Sequence, residues 1–362
     1  MTPKGWQVIK LSEFFPPRPE SSWKLVKQAG VDHAVGILNG GEHDLTMFQS
    51  VGSSGWAPDA RDEAPWSKKA IQHDQELFND WGFDLVAIED TAPIDKVRLG
   101  LDGRDEQIEQ VIEQIRAMGA LGIEVLSYNW MACSSWARTD IAIPDRGGAL
   151  VTGYVREIAQ SGPQLLAANE VSADDMWGAL EYFLDAVIPE AEKAGVKLAL
   201  HPDDPPQHID RGVPRIMSSV EAFRKVLSYS SSDSHGITFC QGNFALMEEI
   251  LSGEQTMADV IRSIGSERIP FVHFRDIRGT VEQFQETFHD DGQTDMAECF
   301  RAYSDVNFHG VMRPDHVPTL EGESNERPGY HMLGRLFALG YIRGLEHSAY
   351  GHPSTRDSGL LS

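Results

Sequence analysis

The chain has 362 residues, 41% of them hydrophobic, enough to bury a substantial core in a globular protein. Its formal net charge of −24 comes with no Lys/Arg cluster, which argues against nucleic acid or an anionic membrane surface as partners and demands local arginines wherever an anionic substrate binds. The opening "MTPKGWQVIKL" lacks the apolar core of a signal peptide and no run approaches the roughly 20 apolar residues of a membrane span, so a cytoplasmic location is expected, with Cys133, Cys240 and Cys299 as reduced thiols.

In chain order, "GWQVIKL" reads as a first strand. A unit then recurs in which a helical pattern, a glycine and a β-rich run follow one another: "WKLVKQAG" and "VDHAVGIL", "HDQELFNDWG" and "FDLVAIED", "QIRAMGALG" and "IEVLSYNW", "PEAEKAG" and "VKLALHP". Gly30, Gly82, Gly122 and Gly195 sit where a helix would stop, because glycine takes the left-handed conformation there without steric cost. Strands continue at "HGITFCQG", "RIPFVHFRD" and "FHGVMRPDH", with helical patterns around residues 218–229, 255–264, 294–304 and 330–343. Eight candidate strands alternating with helices predict a (β/α)8 TIM barrel of class α/β, with an open doubly wound sheet as the alternative. No linker separates domains, so residues 1–362 are expected as one barrel domain. Residues 39–66 and 131–173 lack a clean period and read as long loops over the active-site mouth.

In such a barrel, chemistry gathers at the carboxyl ends of the strands. The fifth predicted strand ends in His201, the sixth holds Cys240 near its end, the seventh ends in "HFRD" with His273 and Arg275, and the eighth runs into "MRPDH" with Arg313, Asp315 and His316. Each has an ordinary structural explanation alone: a buried thiol as a small hydrophobe, a hydrogen-bonded histidine, an aspartate in a turn. Four metal-ligating residue types at equivalent points of adjacent strands converge on one volume, and their charge of −2 suits a divalent cation. Zinc suits the thiolate best; manganese or iron suits a site with positions open to substrate oxygens.

The segments "LALHPDDPP", "TFCQG", "VHFRD", "TFHDDGQTDM", "VMRPDH" and "PGYHMLGRLFALGYIRGL", with "LSYNW" and "WARTD" upstream, resemble the mannonate dehydratase family, whose barrels are related to the xylose-isomerase-like ones. The resemblance covers most of the chain from about residue 84 onward. It implies a metal-dependent hydro-lyase that converts D-mannonate to 2-keto-3-deoxy-D-gluconate and water, with a divalent metal that is usually Mn2+, and Fe2+, Co2+ or Zn2+ as substitutes. By motif it assigns His201, Cys240, His273 and Asp315 as metal ligands and His316 and Tyr330 to proton transfer. Arg275 and Arg313 are candidates for a two-point grip on a substrate carboxylate, or for pairing with neighbouring acids. Asn129, Arg138 and His289 are further candidates for substrate contact, and Asp203 and Asp204 for orienting His201 or simply forming a turn.

Two features depart from the family's pattern. Asn39 and Gly40 stand where a Leu-His segment is usual, leaving His43 in the following loop, and the cysteine segment reads Cys-Gln-Gly rather than Cys-Thr-Gly. Loops carry substrate choice more than strand-borne ligands do. An isomerase or epimerase of a related sugar, using the same kind of metal, is the competing enzymatic expectation, and a sugar-acid binding protein without activity the non-enzymatic one. A homo-oligomer is compatible with the long loops.

Overall fold

The computed structural model describes residues 9–38, 63–167 and 170–351. Asn39, Gly40, His43 and most of the predicted 39–66 loop lie outside the described residues. In chain order the strands are Lys10–Phe15 (β1), His33–Gly36 (β2), Asp84–Ile88 (β3), Val125–Asn129 (β4), Asp140–Pro144 (β5), Leu150–Val155 (β6), Lys197–His201 (β7), Ile209–Asp210 (β8), Val213–Pro214 (β9), His235–Cys240 (β10), Phe271–Phe274 (β11), Ile277–Thr280 (β12), Gln283–Glu286 (β13) and Val311–Pro314 (β14). Eight of them close into a barrel in the order β1-β14-β11-β10-β7-β4-β3-β2, every pairing parallel. Each barrel strand is followed by a helix, from Trp23–Gln28 after β1 to Met332–Tyr350 after β14. This is the expected (β/α)8 architecture.

The first strand runs further than its sequence pattern suggests. Residues 5–8 of "GWQVIKL" lie outside the described residues, and the strand described, Lys10–Phe15, runs on to Phe15 because pairing on both sides sets its position: Lys10 is opposite Val311 and Phe15 opposite Gly36. The segment expected as a long irregular loop at 131–173 is also more ordered than predicted. It contains β5, β6 and the short helix Arg156–Gln160, and β6 pairs with β13 to build a four-stranded antiparallel sheet in the order β12-β13-β6-β5. Its sequence hides this because β5 is largely exposed and shows no alternation, and β13, the strand that β6 pairs with on its other side, lies more than a hundred residues away; such tertiary context decides strand formation.

Side chains divide by strand parity. Phe14, Val35, Val125, Ala199, Phe271 and Val311 form one buried cluster, which fills the barrel interior, while Leu198, Leu200, Ile237, Phe239, Val272 and Phe274 belong to the larger layer packed under the helices. The helices end where glycine permits it: Gly30, Gly82, Gly122 and Gly195 have φ of +79°, +78°, +74° and +69°. The helix Ala173–Ala194 starts earlier than "PEAEKAG" indicates, from a capping box of Ser172 and Asp175, and carries Pro189 in its interior.

Gly119 has a different task. On the helix Arg104–Leu121, a Cβ there would lie 2.4 Å from the carbonyl oxygen of Ala194. The helix propensity gained by Gly119→Ala is at most about 1 kcal/mol, whereas overpacking against fixed backbone costs about 1–3 kcal/mol. A lower melting temperature for Gly119→Ala is therefore expected; a rise would show that the two helices separate freely.

Candidate active site at the barrel mouth

The two-residue period of a strand carries the inward face of the barrel upward to its rim. Ala199 points in, so His201 does; Thr238 meets Ser127 across the interior (Oγ1 to Oγ, 2.8 Å), so Cys240 follows; Phe271 leads to His273 and Val311 to Arg313. Cys240 is directly opposite His273 in the β10–β11 pairing, and His273 opposite Arg313 in β11–β14. Asp315 lies just past the end of β14.

Three of the four side chains meet at one point, and Asp315 adjoins two of them. Ligand atoms of His201, Cys240 and His273 all lie within 4.8 Å of one another. Asp315 Oδ2 is 3.8 Å from Cys240 Sγ and 3.7 Å from His273 Nδ1. His201 Nδ1 is 2.7 Å from the Pro202 carbonyl, which only accepts, so the proton sits on Nδ1 and Nε2 bears the lone pair. His273 Nε2 is 3.1 Å from a Glu89 carboxylate oxygen without hydrogen-bond alignment, and a proton on that nitrogen would leave the lone pair on Nδ1. In that state, with both imidazoles neutral, His201 Nε2 and His273 Nδ1 face each other at 3.2 Å, lone pair to lone pair. A cation between them would turn that repulsion into ligation, and a thiol and a carboxylate complete a donor set suited to a divalent metal.

Behind the donors runs a chain of alternating charge. Glu89 accepts from Arg313 through both oxygens (2.8 and 2.9 Å), Arg313 donates to Asp315 (2.9 Å), and Arg275 Nε is 2.7 Å from Asp315. Arg275 continues to Glu286 (2.8 Å) and Asp204 (2.8 Å), and Arg138 closes the chain between Asp204 and Glu286. Arg275 fits only because residue 242 is glycine, where a Cβ would lie 2.6 Å from its Nη1. Burial works to raise the pKa of each carboxyl, but the guanidinium charges outweigh it. Glu286 is held at about 2 by Arg275 and Arg138, Glu89 at about 2 by Arg313 with His273, and Asp204 and Asp315 well below the usual carboxylate range.

Above the donors opens a cleft lined by His201, His273, Asp315, Arg313, Glu89, Asn129, Trp136, His316 and Tyr330, among others. His316 and Tyr330 stand side by side, ring centroids 5.4 Å apart, with Trp136 packed on His316 at 4.5 Å and Phe14 on Tyr330 at 5.8 Å. Burial, followed by the charge of Asp315, pushes the Tyr330 phenol well above its ordinary pKa. Asn129 Oδ1 accepts from Arg98 (2.8 Å) and from the N–H of Met131 (3.0 Å), so its amide nitrogen is the group with hydrogens to offer.

The D-mannonate dehydratase (UxuA) family model matches residues 20–169 and 157–355. A mannonate dehydratase of Streptococcus agalactiae serotype Ia is 32% identical over 309 residues, covering 77% of this chain and 86% of its own length. The chain belongs to the D-mannonate dehydratase family. The family is one of hydro-lyases. The crystal structure of mannonate dehydratase from Streptococcus suis serotype 2 is similar over 99% of this chain and 98% of its own, with a TM-score of 0.79 and 27% identity. A xylose isomerase domain protein from Planctomyces limnophilus shares the fold, with a TM-score of 0.56 at 12% identity.

Several residues hold positions other than those expected. Arg275 does not line the cleft, and its guanidinium is engaged by Asp204, Glu286, Asn243 and Asp315. Arg313 lines the cleft but presents its fork to Glu89, so both arginines follow the pairing alternative instead of gripping a substrate carboxylate. Arg138 is buried between Asp204 and Glu286, and His289 is buried beside Phe274; neither reaches the cleft. Asp203 accepts from the Met217 N–H (2.7 Å) and Asp204 from the two arginines, so the Pro202 carbonyl, not an aspartate, orients His201.

Two residues escaped the sequence reading. Glu89 follows β3 in "AIED" at the same rim level as the ligands on later strands, and the strand-end rule applied to β3 would have found it. Glu286 sits on a strand outside the barrel, where the sequence carries no signal.

A carboxyl whose folded pKa is depressed stabilises the protein above its unfolded value and loses that contribution as pH falls toward the folded one. For Glu89, with an ordinary value of 4.5 and about 2 in the fold, the window is below about pH 4.5. Melting temperature should fall as the pH drops from 5 toward 3, and Glu89→Gln should flatten that slope; an unchanged slope would mean that Glu89 is not held by Arg313 in solution.

Proposed function

We propose that the chain is a metal-dependent dehydratase of a sugar acid, with D-mannonate the substrate and 2-keto-3-deoxy-D-gluconate and water the products. The observation that carries this is the position of His316 and Tyr330 together on one wall of the cleft, directly beside the four-donor group, in a chain of this family. His201, Cys240, His273 and Asp315 would hold the divalent ion, with manganese the first to load and iron, cobalt and zinc the alternatives. Such an ion supplies Lewis-acid polarisation of the substrate's carboxylate and 2-hydroxyl.

The chain's own groups divide the proton work. The phenol of Tyr330, raised well above its usual pKa, keeps its proton at neutral pH and so serves as the donor to the departing C3 hydroxyl. His316 is then the group that takes the C2 proton. The C2–H and C3–O bonds break, a C2–C3 double bond forms, water leaves with the Tyr330 proton, and the enol product ketonises, C3 gaining a proton as the 2-hydroxyl loses one and C2=O replaces the C2–C3 double bond. The proton gained by His316 equals the one lost by Tyr330, so the reaction needs no net acid or base. Asn129 offers its amide N–H groups to a substrate hydroxyl, while Trp136 and Phe14 close the apolar side. With Arg313 and Arg275 both engaged by acids, the substrate carboxylate relies on the ion for its countercharge.

Incubating the manganese-loaded protein with a panel of aldonates and following product mass tests the reading. Loss of the mass of water from D-mannonate is expected; conserved mass would make the protein an isomerase or epimerase, binding without product a non-catalytic sugar-acid protein, and no turnover of any aldonate would remove the dehydratase. His316→Asn and Tyr330→Phe should each lower kcat by roughly 10²–10⁴-fold while keeping stoichiometric metal. The double variant Cys240→Ala/His273→Ala should purify without stoichiometric metal by elemental analysis; retention of the ion would place it elsewhere.

A further inference from the structure

We propose that Glu286 is a positioning residue that fixes the tautomer of His316, so that the antiparallel sheet over the barrel mouth takes part in proton transfer. The proposal rests on the assignment of His316 to that role. Glu286 Oε1 lies 2.8 Å from His316 Nδ1. The same carboxylate is ion-paired with Arg275 (2.8 and 2.9 Å) and with Arg138, so it is ionised and can only accept. Nδ1 must therefore carry the proton. Arg138 Nη2, 3.1 Å from Nδ1, could donate to a lone pair there, but that arrangement would set the same lone pair 2.8 Å from a carboxylate oxygen that also only accepts, so the shorter Glu286 contact decides. The opposite tautomer would set a nitrogen lone pair against a carboxylate oxygen at 2.8 Å.

In the neutral ring with Nδ1 committed, Nε2 bears the lone pair that proton abstraction needs. Trp136 on one side and Tyr330 at the edge hold the ring plane. Glu286 belongs to no barrel strand: it ends β13, which is pinned by Gln285 opposite Gly153 and by Glu286 opposite Ile277. A Cβ at Gly153 would lie 2.9 Å from the carbonyl oxygen of Phe284, so glycine lets β6 approach closely enough to seat β13. The two chain segments of the sheet thus also deliver the arginine and the glutamate that flank His316.

The test uses full-length protein labelled with [15N]histidine, the His316 signals being assigned by their loss in His316→Asn. In the wild type, ring nitrogen shifts should report Nδ1–H with an unprotonated Nε2; an Nε2–H form overturns the proposal, whether or not any variant folds. Glu286→Gln removes the charge while keeping the shape. It should introduce the Nε2–H form and lower kcat on D-mannonate on the order of 10²-fold, with KM within about threefold and metal content unchanged. A kcat within about twofold of wild type, or a loss of activity explained by loss of metal, overturns it by making Glu286 dispensable or merely structural. If the wild type turns over no aldonate, the dehydratase reading fails, while the tautomer measurement still decides what the sheet imposes on His316.

Discussion

Barrel closure combined with the alternation of side chains along a strand is the constraint on which everything else depends. Each strand places every second residue inside, and the parallel register brings the last inward residues of adjacent strands to nearly one level. His201, Cys240 and His273 are each two residues beyond an inward-facing Ala199, Thr238 or Phe271. A slip of one residue in β10 would turn Cys240 under the helices and bring Phe239 to the mouth, and the donor group would lose its sulfur. The small interior residues matter equally: Ala199, Ser127 and Thr238 leave the upper barrel open, whereas Phe14, Val35, Phe271 and Val311 help fill it.

The charged chain from Glu89 to Asp204 takes its meaning from burial. All its members but Glu89 are nearly or fully inaccessible, and burying ions costs several kcal/mol each before pairing offsets it, so such a network is poor evidence for stability. What it does is orient. Asp315, Glu89 and Glu286 are each gripped by guanidinium groups and each in turn face a histidine or the donor site. A group held from several directions has little freedom to reorganise when a proton moves, which is the condition for electrostatic preorganisation.

The helix–strand alternation, the helix-ending glycines and the rim positions of His201, Cys240, His273 and Asp315 were legible because they depend on local conformation and on a repeat whose geometry is the same at every strand. The roles of Arg275, Arg313 and Arg138 were not, because one arginine can serve a substrate or a carboxylate and only the neighbours decide. Those neighbours come from distant sequence: Glu286 reaches Arg138 across 148 positions and Arg313 meets Glu89 across 224. The cap sheet was illegible for the same reason. Asp140–Pro144 is mostly exposed and has no period to read, and it becomes a strand because β6 and β13 provide its edge.

Charge balance leads to the donor group by a route independent of its distances. Within the connected chain, the guanidiniums of Arg138, Arg275 and Arg313 face the carboxylates of Glu89, Asp204, Glu286 and Asp315, all but Glu89 nearly inaccessible, which leaves one negative charge over. A cysteine that ligates a metal does so as the thiolate, which adds a second. The chain's overall charge of −24 makes the surroundings no help. Two uncompensated negative charges in a low-dielectric interior are costly, and their separation would be imposed on any anionic substrate as repulsion. One dication between His201, Cys240, His273 and Asp315 would cancel both, and the same charge would offset that of a sugar acid entering the cleft.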